Sequence, residues 1–369
     1  MATGECSTEV TTPVGIPEGG SDACSAAHRF RRPGEAGVPR GRARPARRSR
    51  RGAGQGRRDG HQQHRHLDPR RRLRLRGGPR VERGMAARAA ELPRIQGADV
   101  VGHVDEVGEG VPDSRIGERV VVDPMLYTGG ERELVTTEYL GSERDGGFAE
   151  YVTVPAGNAH PVRSSLTDAE LATFPTAYTT AMRMLNRAAV RDGERVVVTG
   201  ASGGVGSALI QLAALRGAHV VAVTSAAKRQ RALDLGAETT VDRASDDLAG
   251  EISAHGPVDV VADVVAGPHF SALLRVLGPL GRYVVAGAIA GPLVETDLRT
   301  VYLNQVQLIG SSFGTHEDFE QLLGHVAAGE LKPLLAGTYP LRELNRAQKD
   351  FVGKDFFGKL VVIPGAETA

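Results

Sequence analysis

The sequence has no tryptophan, only two cysteines and no long apolar run. Both cysteines, Cys6 and Cys24, lie near the N-terminus, which excludes a disulfide framework and a cysteine-based zinc site in the rest of the chain. No stretch approaches the roughly 18 consecutive apolar residues of a membrane span. The first ten residues lack the basic and apolar regions of a secretory signal, so we expect a cytoplasmic protein.

Lysine is absent from residues 29–88, and acidic residues are scarce there. That window holds 21 of the 40 arginines against only four acids. Fifteen of the sixteen aromatic residues lie beyond residue 92. The net charge of +1 therefore averages a strongly basic segment and an acidic remainder. The composition changes at Pro93.

From Pro93 onward the chain has the pattern of a folded α/β protein. Short Val-rich runs set off by Gly and Pro predict a small antiparallel or barrel-like unit. After Ser164 two helices are expected, with Pro175 marking the break between them. Near-continuous apolar strands then alternate with helices, which indicates a parallel sheet covered on both faces. The last apolar runs, YPL and KLVVIP, are expected to rejoin the first unit.

The strongest chemical motif is a strand, a glycine-rich turn and a helix at residues 196–225. A turn without side chains lets backbone N–H groups and the positive end of a helix meet a pyrophosphate. The motif departs from G-x-G-x-x-G because Ala201 stands where the first glycine would be. Its place between a buried strand and a helix nevertheless makes a dinucleotide site a specific prediction. The alternative is a turn that only packs the helix on the strand.

The second strand of this unit indicates which nucleotide binds. An NAD site would place Asp or Glu at its end to hold the ribose 2′-OH. Here the strand ends in hydroxyls and is followed by cations, which suit a 2′-phosphate, although the cations could also serve only to solvate a helix start. We therefore expect NADP(H), bound by Ala201, Ser202, Gly203, Gly204, Val205, Gly206, Thr224, Ser225, Lys228 and Arg229.

Residues 93–364 resemble the medium-chain dehydrogenase/reductase superfamily, specifically its quinone-oxidoreductase-like, zinc-free branch. The landmarks stand in the family's order and cover about three-quarters of the chain. They are PRIQGADVVG (93–102), DGGFAEY (145–151), GASGGVG (200–206), SAAK (225–228), LGAE (235–238), GRYVVAG (281–287) and FFGKLVVIP (356–364).

The resemblance implies an α/β protein in which a GroES-like β-rich catalytic domain is split by the chain around a central Rossmann domain. We expect an atypical segment at 1–92, the first catalytic part at 93–165, the Rossmann domain at 166–305 and the return at 306–369. The resemblance places the active site in the cleft and implies a homodimer or homotetramer. It also puts Tyr178, Thr180, Phe313 and the cofactor-binding Ala288 beside the nicotinamide, although both aromatics could equally be core residues.

Zinc-dependent relatives resemble this layout but carry G-H-E where this chain has Gly97-Ala98-Asp99. A zinc ion needs Cys or His ligands, and residues 93–160 offer no Cys and only His103 and His160. We expect no metal, and Asp99 is interpreted as a structural or cleft carboxylate.

Three functions remain open. The first is NADPH-dependent hydride transfer to a quinone or an α,β-unsaturated carbonyl. The second is a zinc-type alcohol dehydrogenase, which the missing ligands disfavour. The third is a non-catalytic nucleotide-binding protein, associated with nucleic acid through its arginines. A nucleic-acid partner is disfavoured because residues 29–88 contain no lysine and, for stacking on bases, only Phe30.

A shifted reading frame offers another account of residues 22–92, where nothing alternates like the family's first strands. Read one base forward, RRGAGQG (50–56) is compatible with GEVLAKV, HQQHRH (61–66) with INNTDI and MAARAAEL (85–92) with WRREPLSF. GC-rich codons read out of frame also produce arginine without selection for charge. The hypothesis is that the family's N-terminal strands are translated out of frame here, and a gene sequence without such a shifted frame would disprove it.

Overall fold

The structure, a computed structural model, describes residues 25–27, 93–353 and 355–365. The arginine-rich window, both cysteines and nearly all of the segment assigned to a shifted frame lie outside the described residues. Within the described residues, no helix is both long and apolar enough to cross a membrane.

The described strands form two six-stranded sheets and one two-stranded sheet. In the described part of the chain they are β1 (Ser25–Ala27), β2 (Val100–His103), β3 (Arg119–Val122), β4 (Met125–Leu126), β5 (Glu138–Tyr139), β6 (Ala159–Pro161), β7 (Arg195–Val198), β8 (His219–Thr224), β9 (Thr239–Asp242), β10 (Val258–Asp263), β11 (Leu277–Val285), β12 (Gln307–Gly310), β13 (Leu335–Pro340) and β14 (Lys359–Ile363).

Helices connect and cover these strands. Over the same described ranges they are α1 (Glu131–Leu134), α2 (Asp168–Leu171), α3 (Pro175–Arg187), α4 (Gly204–Leu215), α5 (Arg229–Asp234), α6 (Leu248–Ser253), α7 (Phe270–Arg275), α8 (Leu298–Leu303), α9 (His316–Ala327) and α10 (Leu344–Gly353).

The first sheet is mixed, in the order β13-β14-β1-β2-β3-β6. Its β2-β3-β6 part is antiparallel, as the Gly- and Pro-bounded runs predict. The pairs β13–β14, β14–β1 and β1–β2 are parallel, so the strands of the return segment run in the same direction as β2. The YPL and KLVVIP segments thus belong to the same sheet as the Val-rich runs after Pro93.

The second sheet is parallel throughout its described strands, in the order β12-β11-β10-β7-β8-β9. Its central strands are buried on both faces, which explains why their sequences are runs of valine rather than alternating patterns. The predicted doubly wound α/β sheet is therefore confirmed. The order reverses beside β7, and the carboxyl ends of β7, β8, β10 and β11 meet at one edge.

Helix α3 lies between the two sheets and forms much of their shared core. It begins at Pro175, where proline at the first helical position is tolerated because its missing N–H needs no partner there. The preceding short helix, α2, is capped by Thr167 and Glu170, whose side chains and backbone N–H groups bond reciprocally. The expected break between two helices at Pro175 is confirmed.

Candidate functional site

The glycine-rich turn joins β7 to α4 at the edge where the strands end. Gly200 has φ +58°, a left-handed conformation that favours glycine, and Gly203 N donates to its carbonyl oxygen at 2.9 Å. A Cβ on Gly206 would overlap the Gly200 carbonyl, so only glycine allows α4 to approach the turn this closely. Gly203 provides no side-chain cap for the helix. The first N–H groups of α4 are thus suited to an anion, as the sequence predicts for residues 201–206.

The end of β8 carries the second group of predicted cofactor residues. Thr224 is 2% exposed, and its hydroxyl oxygen is buried with no hydrogen-bond partner among the described residues. Ser225 follows it, and Lys228 Nζ donates to the Phe356 carbonyl at 2.9 Å. Leaving a buried hydroxyl unpaired costs free energy, so a polar group of a ligand or a water molecule can pair with the Thr224 hydroxyl here.

The two cations after β8, Lys228 and Arg229, have different surroundings. Burial lowers the pKa of Lys228, and the nearby Arg243 lowers it further. Arg229 lies 3.5 Å from the Asp242 carboxylate, so its charge is partly neutralised. Arg243, whose N–H donates to the Thr224 carbonyl, is a third cation beside the end of β8, and the sequence analysis missed it because it follows the next strand, β9.

Asp263, at the end of β10, is a second residue that the sequence analysis missed. It is fully buried and accepts hydrogen bonds at 2.5 Å from the Thr199 hydroxyl and from the Tyr283 hydroxyl. The Val265 N–H also donates to it, at 2.8 Å. Burial and the Asp263 carboxylate raise the pKa of Tyr283, which keeps its hydroxyl protonated as a donor. The only signal in the sequence is a single carboxylate ending an apolar strand.

The loop after β10 lies against the glycine turn. Ala266 has φ +52°, unusual for a residue with a Cβ, and its N–H donates to Asp263 at 3.1 Å. A Cβ on Gly200 would press on Val264, and one on Gly287 would approach the Val264 carbonyl. The predicted cofactor residue Ala288 is half-buried and directly follows Gly287. The ends of β7, β10 and β11 are therefore packed together around the turn.

A small cavity lies between α3, the β4–β5 hairpin and the loop after β12. Two of the predicted nicotinamide residues, Thr180 and Phe313, line it together. The Thr179 hydroxyl, 3% exposed, has no hydrogen-bond partner within the described part of the chain. The remaining lining residues are Pro124, Met125, Tyr139, Thr176 and Gly314.

Tyr178 does not line this cavity. Its side chain is 1% exposed in the core, edge-on to Phe174. Gln211 Nε2 donates to its hydroxyl at 2.7 Å, and the hydroxyl donates to the Lys332 carbonyl at 3.1 Å. Burial raises its pKa. These contacts favour the packing interpretation over contact with the nicotinamide.

Asp99, predicted to be a structural or cleft carboxylate, belongs to a buried ion pair. Its Oδ2 lies 2.6 Å from Lys359 Nζ, and both side chains are at most 3% exposed. Its Oδ1 accepts from the Thr176 backbone N–H at 2.7 Å and from the Thr176 hydroxyl. A carboxylate held by these donors does not fit a metal ligand, and no group of three His, Cys, Asp or Glu side chains among the described residues could hold a metal ion. We therefore derive no step through zinc.

His316, the first residue of α9, contacts the segment that follows β3. His316 Nδ1 lies 2.6 Å from the buried Asp123 carboxylate, and its ring stacks on Tyr127 with centroids 4.2 Å apart. The hydrogen bond to Asp123 raises the pKa of His316, and burial offsets part of that increase.

Two family models match the chain. The model described as "Alcohol dehydrogenase GroES-like domain" matches residues 76–164, and the model described as "Zinc-binding dehydrogenase" matches residues 204–328. A GroES-like unit joined to a Rossmann-type sheet with a glycine turn defines an NAD(P)H-dependent oxidoreductase.

Similar proteins identify the family. An acryloyl-coenzyme A reductase from Metallosphaera sedula is 31% identical over 74% of this chain and 84% of its own length. The crystal structure of a putative alcohol dehydrogenase from Sinorhizobium meliloti 1021 is 54% identical with a TM-score of 0.72, over 74% of this chain and 77% of that one. The structure of the 2-octenoyl-CoA carboxylase reductase CinF, in complex with NADP and 2-octenoyl-CoA, is 27% identical with a TM-score of 0.68, over 75% and 69%. The chain belongs to the medium-chain dehydrogenase/reductase superfamily.

The predicted superfamily and the predicted GroES-like and Rossmann fold are thereby confirmed. The zinc-free branch, the domain boundaries and the roles of individual site residues stay predictions.

Proposed function

We propose that the protein is an NADPH-dependent reductase that transfers hydride to a conjugated carbonyl compound, an enone, enoyl thioester or quinone. The observation that carries this proposal is the pairing of two sites along α3 and α4. An uncapped glycine turn with cations beside it suits a phosphorylated dinucleotide, and a small space of about 10 Å³ lined by hydroxyls and aromatic rings lies beside α3. The two relatives named for thioester reduction support the same substrate class.

The preference for NADPH over NADH rests on the end of β8. No carboxylate follows Thr224 along the chain until Asp234, so the end of β8 lacks the acidic residue that holds a free 2′-OH in NAD sites. A groove of about 500 Å³ lies nearby and is lined by Arg231 and Phe356, but also by the carboxylates of Asp234 and Asp355 and by none of the predicted cofactor residues.

The chain's own residues bind and orient the reactants. When bound, NADPH supplies the hydride. The N–H groups at the start of α4 hold the pyrophosphate, and Asp263 fixes the loop beside it. Phe313 and Met125 exclude water from the substrate, while hydroxyls around the cavity receive its polar oxygen.

Melting temperatures test the nucleotide preference. At matched concentrations NADPH should raise the melting temperature more than NADH, because a ligand that binds the folded state more tightly stabilises it more. In Lys228→Met, which keeps the aliphatic stem, the difference should shrink. Equal shifts in the parent chain would contradict the phosphate argument.

Steady-state oxidation of NADPH tests the reaction. A panel of quinones, enones, enoyl thioesters and saturated aldehydes should show turnover with the conjugated compounds. Turnover confined to saturated carbonyls, together with bound zinc in elemental analysis, would favour the alcohol-dehydrogenase alternative. Tight NADPH binding with no turnover on any compound would favour a non-catalytic nucleotide-binding protein.

A further inference from the structure

The hairpin formed by β4, α1 and β5, residues 125–139, closes one side of the small cavity beside α3. Met125 and Tyr139 of this hairpin line the cavity, and Phe313 lines it from the turn that precedes α9. The space measures about 10 Å³, which is enough for roughly one water molecule. A larger ligand therefore enters only when one of these walls moves.

One histidine holds the hairpin from the start of α9. His316 Nδ1 lies 2.6 Å from Asp123 Oδ2, just before the hairpin, and Nε2 lies 3.2 Å from the Tyr127 carbonyl oxygen. Its ring stacks on the Tyr127 ring, with centroids 4.2 Å apart and planes 4° apart. Its backbone N–H donates to the Tyr127 hydroxyl at 3.1 Å. Tyr127 is thus held at its carbonyl, its ring and its hydroxyl by a single residue.

Only the protonated ring of His316 satisfies both of its oxygen partners. A carboxylate and a carbonyl accept hydrogen bonds, so each ring nitrogen needs a proton to bond to them. The neutral ring has one N–H group, and the charged Asp123 is the stronger acceptor for it, so the Tyr127 carbonyl then faces a lone pair. The stacked Tyr127 ring also favours the cation, whereas the positive end of α9 opposes it.

We propose that His316 is a pH-sensitive clamp that holds the hairpin over the cavity when protonated and loosens it when neutral. The inference goes beyond the proposed function, because it concerns access to the cavity and needs no particular substrate. Two other contacts hold the hairpin as well: the Tyr139 hydroxyl oxygen lies 2.7 Å from Thr176 Oγ1, and Arg183 Nη2 lies 2.9 Å from Glu131 Oε1. Loss of the clamp therefore makes the hairpin open more often without unfolding the chain.

The charges around His316 determine the pH range of the clamp. The hydrogen bond to Asp123 raises the pKa of His316, burial lowers it, and the Tyr127 carbonyl raises it again. Burial lowers the pKa of His160 in β6, so this second histidine is neutral where His316 titrates. The clamp is complete below about pH 6.5 and is lost as the pH rises through the folded-state pKa. The charged or titratable groups around the contact are Asp123, Tyr127, His160, Arg183, Asp318 and Glu320.

Hydrogen–deuterium exchange of the full chain tests the clamp. Protection factors, which correct for the intrinsic pH dependence of exchange, are measured for peptides covering residues 125–139 at about pH 6 and about pH 9. Protection of the hairpin should fall by about tenfold or more at the higher pH, the usual contribution of a hydrogen bond to a charged group. A peptide from the buried strand β7 is the internal reference for global stability.

Three variants separate the charge of His316 from packing. His316→Gln cannot be protonated, so protection of its hairpin should be about the same at both pH values. Tyr127→Phe keeps the ring and the carbonyl and should retain the parental fall. His255→Gln, at an exposed position, should also behave as the parent. A parent hairpin protected equally at both pH values, or a parental fall in His316→Gln, would overturn the clamp and leave the proposed function standing.

The parent chain alone supplies a second test by NMR. In a sample with labelled histidine and tyrosine, the ring signals of His316 and Tyr127 should shift with one shared midpoint above about pH 6.5. Different midpoints would show that the charge of the histidine and the position of the hairpin are not linked, and would overturn the proposal.

Discussion

Asp263 holds the ends of three strands together beside the proposed nucleotide site. Its carboxylate bonds to Thr199 after β7, to Tyr283 in β11 and to the loop after its own strand. Because buried polar groups need partners, removing any one of these groups leaves the others unpaired and destabilises the fold. The residue therefore belongs to the scaffold of the site rather than to its chemistry.

Asp263→Ala should destabilise the protein by about 2–4 kcal/mol, since it leaves two buried hydroxyls and two backbone N–H groups without their acceptor. Denaturant unfolding measures this change, and affinity for NADPH should fall with it. Asp246→Ala, at an exposed position, is the matched control and should change stability by less than about 0.5 kcal/mol. Similar stabilities for the two variants would contradict this role.

His316 makes stability depend on pH. Asp123 raises its folded-state pKa above the ordinary value near 6.5, so its stabilising contribution is complete below about pH 6.5 and is lost as the pH rises through the folded-state pKa. The difference in unfolding free energy between the parent and His316→Gln should therefore be larger at about pH 6 than at about pH 9. His255→Gln, at an exposed position, should show a flat difference, and a parent–variant difference that grows with pH would disprove the assignment.

The sequence reveals some site residues and hides others. The glycines and Thr224 could be predicted because their positions follow from a local strand–turn–helix pattern. Asp263 and Tyr139 could not, since their partners lie 64 and 37 residues away along the chain. Tyr178 was placed beside the nicotinamide from the sequence, but its side chain lies in the core. An aromatic residue in a helix looks the same in sequence whether it faces a cavity or the core.

The element that determines nucleotide binding is the turn between β7 and α4. Its glycines serve different purposes: Gly200 permits a left-handed backbone, whereas Gly206 permits close contact between helix and turn. The alternation of strands and helices was predictable from apolar runs alone. The return of the last apolar runs to the first unit was also expected, but the parallel direction of β13 and β14 in that sheet was not, because it depends on contacts between segments far apart along the chain.

Gly206→Ala should destabilise the protein and weaken NADPH binding, because the added Cβ would force α4 away from the Gly200 carbonyl. Gly324→Ala is the control in helix α9, where a Cβ meets nothing within 4 Å. That change should stabilise by roughly 0.5–1 kcal/mol through helix propensity. Thermal unfolding with and without NADPH measures both, and an unchanged Gly206→Ala protein would contradict the close-contact argument.

At the scale of the whole molecule, the β12 edge suits a second copy of the chain. In the described residues β12 pairs on one side only, with β11, and Leu308 is 49% exposed. The preceding helix α8 exposes Leu298, Tyr302 and Leu303. An unpaired edge with apolar neighbours favours strand pairing between copies, so we propose a homodimer, with a homotetramer as the alternative.

Leu308→Lys should convert the dimer to a monomer in light scattering, because charge on an edge strand opposes pairing. Val135→Lys, at a similarly exposed residue in the other unit, should leave the oligomer intact. A parent chain that is monomeric, or a Leu308→Lys protein that stays dimeric, would remove β12 as the interface.

The shifted-frame hypothesis bears on what the whole molecule can do. The match to the acryloyl-coenzyme A reductase covers 74% of the chain, so about a quarter is unmatched. The GroES-like family model matches from residue 76 and so overlaps the end of the segment that the hypothesis covers, and the hypothesis stays a prediction. A chain without the family's first strands would have impaired turnover, while the glycine turn, which lies entirely after residue 195, would still bind nucleotide.

The account is tested most directly by the fate of the hydride. NADPH deuterated at the transferred position is incubated with the full chain and an enone, and the product is analysed by mass spectrometry and NMR. We predict one deuterium on the β-carbon of the saturated carbonyl product. Deuterium on the carbonyl carbon of an allylic alcohol, or no transfer to the enone, would contradict it.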